Sequence, residues 1–261
     1  SSLWSPREDA AVDLMEVQDL LGDPGVDAGD EDLHPLTRLV AVLEDLESWH
    51  GEAVRPEAAL EARFERARRL AQAFDRIEDD RTLRADVERV VAAADERLEW
   101  WGMGKALIAG MLRQDPAADA LIRAREVAQE GLEFHPDGFA GSACYHHVSA
   151  IEAPAYRLAA MSSDGPGKPS LRITHRNVER LYLRAYAFDL DEVVTSAEDS
   201  NLLPGYREVP EFLEGAKPVA AWPVDLPATV DFRDHETEVV PPLTEIGTYL
   251  VVASVREDFQ E

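Results

Sequence analysis

Cys144, His146 and His147 stand together in the chain, and His135 lies shortly before them. Thiolate and imidazole groups are ligands that zinc prefers, and a Cys beside a His can also act as an activated nucleophile. A structural zinc site needs four ligands, usually in two spaced pairs, and adjacent histidines point apart on a helix or a strand. A buried, inert cysteine on an apolar helix face is therefore the favoured interpretation. Cys144 and His147 are the two metal-ligand candidates that we retain.

The run from Gly102 to Lys105 contains the Gly-Lys pair of a phosphate-binding loop. The Walker motif also requires a Gly where Glu99 stands and a Ser or Thr where Ala106 stands. This mismatch predicts a helix-breaking turn instead. The sequence contains neither a Gly-x-Ser-x-Gly elbow nor a spaced His pair. We therefore predict a protein that is not an enzyme and that has no cofactor.

The adjacent Trp100 and Trp101 are candidate contacts for a protein partner, because Trp dominates the hot spots of interfaces. Trp49 belongs to the same group of candidates. Helix-packing cores use Trp as readily, so a position in the core or at a domain interface is the competing prediction.

The composition describes a folded and strongly acidic chain. Its 261 residues include 26 Lys and Arg against 52 Asp and Glu, which gives a formal charge of −26, and 45% of the residues are hydrophobic. This charge argues against a partner held mainly by phosphate contacts, so no nucleic acid is expected. No stretch approaches the roughly 18 apolar residues of a membrane span, so we expect no direct membrane insertion. A single cysteine cannot close an intramolecular disulfide.

Residues 1–148 show helical periodicity and predict an all-α domain, either a small bundle or helical hairpins of the tetratricopeptide kind. Apolar residues recur at three- and four-residue steps, as at Leu60, Phe64 and Ala67. There is no clean period of about 34 residues, so a true repeat is not established. The predicted helices cover 9–21, 36–46, 58–74, 81–101, 105–112 and 117–132, with linkers at 22–29 and 102–104.

Residues 149–261 change to the two-residue alternation of β-strands. Leu181, Leu183, Ala185 and Ala187 share one face of a predicted strand, and Tyr182, Arg184, Tyr186 and Phe188 share the other. The apolar run from Tyr249 to Val255 predicts a central strand buried on both faces. Short strands at this density are typical of an antiparallel β-sandwich. The predicted strands cover 156–161, 171–175, 181–188, 219–226, 236–240 and 249–255, with a short helical insert near 191–215. The predicted fold is thus α+β multidomain, with a helical domain at 1–148 followed by a β-sandwich domain at 149–261.

Three stretches of the chain carry a family resemblance. In 141–154, Cys144 is followed by Ile151-Glu152 and then Pro154. The others contain Arg176-Asn177-Val178, Leu181 to Tyr186, Trp222 to Pro227, Phe232 to His235, Pro241-Pro242-Leu243 and Gly247 to Val251. Together they resemble the N-terminal part of the large bacterial alpha-2-macroglobulin-like proteins, which are broad-range endopeptidase inhibitors. The resemblance covers about residues 128–258.

The resemblance implies that the second half is a macroglobulin-like β-sandwich, similar to immunoglobulin and fibronectin domains. In that family a target peptidase cleaves a bait segment, a ring of sandwich domains rearranges, and the peptidase is enclosed. Many members form a thioester in a Cys-Gly-Glu-Gln setting, which Cys144 in Ala143-Cys144-Tyr145-His146 does not match. The resemblance therefore implies a non-catalytic scaffold segment without bait or thioester. Its partners would be the remaining domains of the parent chain and, through the parent, target peptidases.

The same resemblance implies a location in the periplasm or cell envelope of a bacterium. The chain begins at Ser1 without a Met, and we expect it to be a piece of a longer protein whose export signal is not in this sequence. The alternative is an independent, adhesin-like protein-binding module that docks a partner on the helical domain, with Trp100 and Trp101 as contacts. A metal-dependent enzyme using Cys144 and His147 ranks third.

Overall fold

A computed structural model describes residues 9–22, 25–161, 167–188 and 215–259 of the chain. The chain divides into two compact units, Ser1–Ile151 and Glu152–Glu261. Within these described ranges, six α-helices are followed by six strands in two small antiparallel sheets, which is the predicted α+β class. The helical insert predicted near 191–215 lies outside the described residues except for Gly215.

The helices of the first unit are joined by short loops. Residues 9–21, predicted as one helix, instead form two short 3-10 helices, Val12–Leu14 and Val17–Leu20, because the backbone between them is extended at Met15 and Glu16. The α-helices are α1 (Pro35–Glu52), α2 (Pro56–Ala73), α3 (Ile77–Ala93), α4 (Glu99–Gln114), α5 (Ala120–Phe134) and α6 (Phe139–Glu152). The predicted segments locate α2 and α5 to within three residues at each end. The segment predicted for α1 ends six residues too early, the one predicted for α3 runs eight residues too far, and the one predicted for α4 starts six residues too late. No predicted segment gives the bounds of α6.

The linker predicted at residues 102–104 is wrong, because these residues lie inside α4. A Cβ atom built at Gly102 would lie 2.8 Å from the Cβ of Ala140, and one at Gly104 would lie 2.7 Å from the Cζ of Phe64. These glycines allow neighbouring helices to approach the backbone of α4 closely, and they do not end a helix. The actual break lies between Ala93 and Glu99, inside the segment predicted as one helix over 81–101.

Carboxylates link the N-termini of α2, α4 and α6. Glu57, in the first turn of α2, accepts hydrogen bonds from the backbone N–H groups of Glu99 and Trp100 at 2.8 and 2.9 Å. Glu99, in the first turn of α4, accepts one from the N–H of Ala140 at 3.0 Å. Each carboxylate satisfies N–H groups that have no partner within their own helix and complements the helix dipole. The three helices therefore start at the same end of the unit, side by side.

The helices also recur at a nearly constant spacing along the chain. From the first residue of α2 to that of α4 is 99 − 56 = 43 residues, and from α4 to α6 it is 139 − 99 = 40. The series α1, α3 and α5 gives 77 − 35 = 42 and 120 − 77 = 43. Repeats of two helices in about 40–47 residues are a known class of helical array. The first unit has this spacing and not the 34-residue period of tetratricopeptide repeats.

Replacing Glu57 with Ala should destabilise the helical unit by about 1 kcal/mol, because the first turn of α4 loses both capping hydrogen bonds. Glu61→Ala is the matched control, since Glu61 lies one turn further along α2 and is exposed. Urea unfolding followed by circular dichroism at 222 nm measures the difference. Equal unfolding midpoints for the two variants would show that the cap adds nothing.

Asp115 joins the turn after α4 to α3. Its carboxylate accepts hydrogen bonds from Arg84 at 2.7 Å, from Arg81 at 3.2 Å and from the N–H of Ala117 at 3.0 Å. The bonds from the two guanidinium groups, then that from the backbone, hold the pKa of Asp115 far below its usual value. The folded state therefore takes up a proton at Asp115 only at a much lower pH than the unfolded state does.

Asp115→Asn should lower the free energy of unfolding by about 1 kcal/mol at pH 7, because charge-assisted bonds become neutral ones. Since the folded pKa lies below the unfolded one, the contribution of Asp115 is complete above about pH 4 and is lost as the pH falls further. The two proteins should thus converge in stability on acidification. Urea unfolding at a series of pH values tests this, with Asp119→Asn as the control because the Asp119 side chain makes no capping bond. A constant difference between wild type and Asp115→Asn at every pH would contradict it.

The second unit contains two three-stranded sheets, and all six predicted strands are confirmed within one or two residues at each end. One sheet has the order β1-β2-β5 and the other β4-β3-β6, with every pairing antiparallel. Their bounds are β1 (Ala155–Ala160), β2 (Leu171–Arg176), β3 (Arg180–Ala187), β4 (Ala220–Asp225), β5 (His235–Val239) and β6 (Tyr249–Ser254).

Both sheets contribute to one hydrophobic core. Ile173 of β2 and Leu181 and Leu183 of β3 belong to the same cluster of buried residues and are almost fully inaccessible. The alternation predicted for β3 is confirmed at Leu181, Leu183 and Ala185, which are buried. It is wrong at the end of the strand, because Tyr186 is buried as well and Ala187 is exposed. The prediction for β6 is wrong, because its six residues are only half-buried and, among the described residues, β3 alone pairs with it. No helix in the described part of the chain is long and apolar enough to cross a lipid bilayer.

Candidate functional site

A cleft in the helical unit lies along α2, α4 and α6. Its volume is about 600 Å³, within the range of ligand pockets. We call it the α2–α4–α6 groove. Its lining is Arg68, Ala71, Gln72, Phe74, Asp75, Asp80, Met103, Ala106, Leu107, Gly110, Met111, Gln114, Ala143 and His147.

The floor of the groove follows from helical spacing. Met103, Leu107 and Met111 occur at four-residue steps, so they lie in one row along α4. Small residues leave space beside this row, namely Ala71 on α2 and Ala143 on α6. The three side chains of the row are half-buried. The groove is therefore open to solvent above an apolar floor.

One wall of the groove carries an arginine whose charge is already partnered. The guanidinium of Arg68 lies 3.5 Å from a carboxylate oxygen of Glu65 and 5.8 Å from the ring centre of Trp100. The ion pair and the cation–π contact both satisfy this charge within the protein. Glu65 also accepts a hydrogen bond from Arg69 at 2.7 Å, so one carboxylate is shared by two guanidinium groups and cancels the charge of Arg68 only in part.

The opposite wall carries His147, whose Nδ1 lies 3.2 Å from the guanidinium of Arg113. Burial lowers the pKa of His147, and the neighbouring charges of Arg113 and His146 lower it further. The imidazole is consequently neutral at pH 7. The negative charge of the groove comes from Asp75 and Asp80, where α2 turns into α3.

Cys144 lies on the buried face of α6 and is fully inaccessible to solvent, which confirms the favoured interpretation of a buried cysteine on a helix face. Its thiol donates a hydrogen bond to the backbone carbonyl of Gly102 at 3.5 Å, and a Cβ on Gly131 would collide with its sulfur. Burial raises the pKa of Cys144 to about 11, so the thiol stays protonated at neutral pH. A protonated thiol is a poor nucleophile and a poor metal ligand. No group of three His, Cys, Asp or Glu side chains in the described ranges could hold a metal ion.

The two adjacent tryptophans pack between helices. Trp101 is 5% exposed and stacks edge-on against Phe134 of α5, with ring centres 5.2 Å apart. Trp100 is half-buried and lies between Phe64 of α2 and Phe139 of α6, at 6.3 and 5.9 Å. Trp101 thus belongs to the core, whereas Trp100 holds the three parallel helices together and touches Arg68 of the groove.

An exposed apolar stripe lies on the outer face of α1. Val42, Leu46 and Trp49 occur at four- and three-residue steps and are 51%, 40% and 53% exposed. The guanidinium of Arg55 lies 5.1 Å from the Trp49 ring centre. Of the three sequence-predicted tryptophan candidates, Trp49 is the one that the structure places at the surface.

The sheet unit contains a second group of titratable side chains. His175 lies 3.2 Å from the hydroxyl of Thr237, and His235 lies 2.9 Å from the carboxylate of Asp231. The two rings are 6.4 Å apart, and burial lowers the pKa of His175. These contacts join β2 to β5 and the preceding turn, so the group stabilises the sheet edge.

Sequence reasoning missed the groove. The spacing of Met103, Leu107 and Met111 was visible, but the predicted linker at 102–104 separated the first of them from the helix. Ala143 and His147 belong to α6, whose bounds the sequence did not define, although Cys144 was expected on a helix face. The groove also depends on which helices are neighbours, and spacing within one helix does not carry that information.

Comparisons of the chain with protein families, with curated proteins and with solved structures find no significant match to any of them.

Proposed function

We propose that the chain is a non-catalytic scaffold segment of a bacterial alpha-2-macroglobulin-like endopeptidase inhibitor, working outside the cytoplasm. In this proposal the sheet unit is a macroglobulin-like β-sandwich and the helical unit precedes it. The partners are the other domains of the parent chain and, through them, target peptidases. Bait cleavage and any thioester chemistry belong to parts of the parent outside this sequence.

One observation supports the proposal: the second and third stretches behind the family resemblance occupy strands and turns of a single small antiparallel unit, whereas most of the first stretch, 141–154, lies in α6. Asn177 has φ 53° directly after β2, the left-handed conformation that Asn tolerates at a turn. Leu181 to Tyr186 lie in β3, and Gly247 leads into β6, which pairs with β3. Val178, Leu181, Leu183 and Leu226 of these two stretches belong to one cluster of buried residues.

The strand order gives further support. The first, second and fifth strands form one sheet, and the third, fourth and sixth form the other. Sheets composed in this way, with a common core, are typical of sandwiches of the immunoglobulin and fibronectin kind. This is the architecture that the resemblance implies for a macroglobulin-like domain.

An inhibition assay tests the scaffold role. The 261-residue chain alone should leave a general endopeptidase fully active on a protein substrate, because it would lack the bait. The product of the complete gene should inhibit the same peptidase, and removing 152–261 from it should abolish inhibition. Stoichiometric inhibition by the chain alone, or a complete product without further sandwich domains, would refute the proposal.

The α2–α4–α6 groove favours a second candidate function, an independent module that docks a partner on the helical unit. A photo-crosslinking amino acid in place of Leu107 should then capture a partner in cells that express the protein. The same group in place of Val42, which is exposed outside the groove, is the matched control. No adduct at Leu107, or the same adducts at both positions, would contradict a docking role.

A further inference from the structure

We infer that the outer edge of β6 binds an extended segment of another polypeptide, which adds a strand to the β4-β3-β6 sheet. The segment has apolar side chains at alternate positions and no acidic ones. The inference goes beyond the function proposed above and does not depend on it, because it rests on the strand order and the hydrogen bonds of this one sheet.

The backbone of β6 offers hydrogen-bonding groups on the side away from β3. In an antiparallel pair, alternate residues direct their N–H and C=O groups toward the partner strand. The N–H of Phe188 donates a hydrogen bond to the carbonyl of Thr248 at 3.0 Å, so in this register the even-numbered residues of β6 face β3. The residues whose backbone groups point to the outer edge are consequently Tyr249, Val251 and Ala253.

A side chain from β1 confirms this orientation. The hydroxyl group of Tyr156 donates a hydrogen bond to the backbone carbonyl of Ala253 at 3.2 Å, so that carbonyl points away from β3. No described residue forms a backbone hydrogen bond with the outer edge of β6. The open groups of Tyr249 and Val251 are two residues apart along a strand, and another extended chain has donors and acceptors at the same spacing. The edge therefore selects a strand as its ligand.

β6 differs from the other three edge strands of the described sheets. β4 contains Pro223, and β1 contains the exposed Arg157. β5 contains Glu236 and Glu238. Proline and charged side chains are the usual means by which edge strands avoid pairing with another chain. The run 246–255 contains neither, so β6 lacks this protection.

The side chains along the edge select apolar residues. Val251 and Ala253 pack against the core cluster that contains Leu183, yet both are only half-buried. An added strand would place its inward side chains beside them and cover apolar surface that is now partly exposed. Ile246 and Val255, at the two ends of the uncharged run, are 93% and 49% exposed. Apolar side chains on the inward face of the segment therefore gain burial along the whole edge.

The charge of the chain disfavours two other occupants. Each chain has a formal charge of −26, so a second copy and an acidic segment are both repelled at long range. The run 246–255 has no charged side chain of its own. A neutral or basic segment of another polypeptide therefore meets no like charge within the paired run.

Fluorescence anisotropy with three labelled peptides tests the inference on the 261-residue chain. In the first peptide Val alternates with Thr between terminal Lys residues. The second has Ser in place of each Val, and the third is the first peptide with its central backbone nitrogens methylated. The first peptide should bind. The second should bind at least about tenfold more weakly because it lacks the apolar contacts, and the third should do so because it lacks the backbone donors.

Variants of β6 locate the binding site. Val251→Pro removes an outward N–H and leaves the hydrogen bonds to β3 in place, because the neighbouring residues form those bonds. It should weaken binding of the first peptide by about tenfold. Val251→Ala is the control, since it also removes the valine side chain but keeps the N–H, and it should weaken binding by at most about threefold. Circular dichroism shows whether each variant is folded.

Hydrogen exchange measured by mass spectrometry gives an independent location. The first peptide should slow exchange in 246–255 and leave exchange in β4 unchanged. Slowed exchange in β4 but not in 246–255 would overturn the inference.

Equal affinity for the first and second peptides would overturn the inference, since binding would then be general charge attraction. Equal affinity for the first and the methylated peptide would overturn it as well, because strand pairing needs the backbone donors. This comparison decides the matter even if Val251→Pro does not fold. Sedimentation equilibrium without peptide should show a monomer. A dimer that Val251→Pro dissociates would show that a second copy occupies the edge, and it would refute the proposed occupant.

Discussion

Replacing Asp86 with Ala is expected to lower the free energy of unfolding of the helical unit by about 3 kcal/mol, because it leaves a buried guanidinium without its main partner. Asp86 on α3 is only 10% exposed and accepts a hydrogen bond from Arg63 of α2 at 2.7 Å. Arg66, one turn along α2 and 2% exposed, pairs with Glu47 of α1 at 2.9 Å. Once Asp86 is removed, the nearest carboxylate to Arg63 is that of Glu47 at 3.6 Å.

Two further variants separate the loss of the ion pair from a change in packing. Asp86→Asn retains an acceptor and should cost less than Asp86→Ala. The double variant Arg63→Met with Asp86→Leu removes both charges and should recover much of the stability, because apolar side chains avoid the desolvation of buried ions. Urea unfolding at 222 nm measures all three. If the double variant were as unstable as Asp86→Ala, the packing of α2 against α3 would depend on the ion pair itself and not only on the absence of an unpaired buried charge.

This network marks a limit of prediction from the sequence. Leu60, Phe64, Ala67 and Ala71 defined the apolar face of the predicted helix, and Phe64 and Ala67 are indeed buried. Arg63 and Arg66 are buried as well, although their residue type predicts exposure. They can be buried because carboxylates arrive from α1 and α3, and a pattern within one helix does not report the charges of its neighbours.

The strands were predicted more accurately than the helices, for a physical reason. In β2 and β3 buried and half-buried residues alternate over most of the strand, so the sequence carries the pattern directly. Helix α6 is rich in Gly, Ser, Cys, Tyr and His. These residue types have lower helix propensity than Leu, Glu or Arg. Packing of buried Cys144 and Ile151 stabilises this helix, and that packing is set by the neighbouring elements.

The error at β6 has the same origin. A continuous apolar run indicates a strand with two apolar faces, but it does not indicate how many neighbours the strand has. Leu250 to Ala253 are half-buried at the end of the β4-β3-β6 order in the described part of the sheet. Strand order depends on contacts between distant segments, as helix order does at the α2–α4–α6 groove.

Replacing Gly104 with Ala is expected to destabilise the helical unit by about 2 kcal/mol, even though Ala is the better helix former. The added methyl group would collide with the Cγ2 atom of Val91 on α3 and lie 2.7 Å from the Cζ atom of Phe64 on α2. Both neighbours are buried and cannot move away without disturbing the core. The collision should outweigh the gain of up to about 1 kcal/mol that Ala brings inside a helix.

Gly110→Ala is the matched control, because Gly110 lies on the same helix and its nearest contact, the Cε1 atom of His147, would be 3.4 Å from the new Cβ. This substitution should be neutral or stabilising by a few tenths of a kcal/mol, since the propensity gain meets little steric cost. Urea unfolding at 222 nm compares the two variants with the wild type. If Gly104→Ala were as stable as Gly110→Ala, α4 could not pack against α2 and α3 as closely as described. The interpretation that Gly104 is needed for this close packing would then fail.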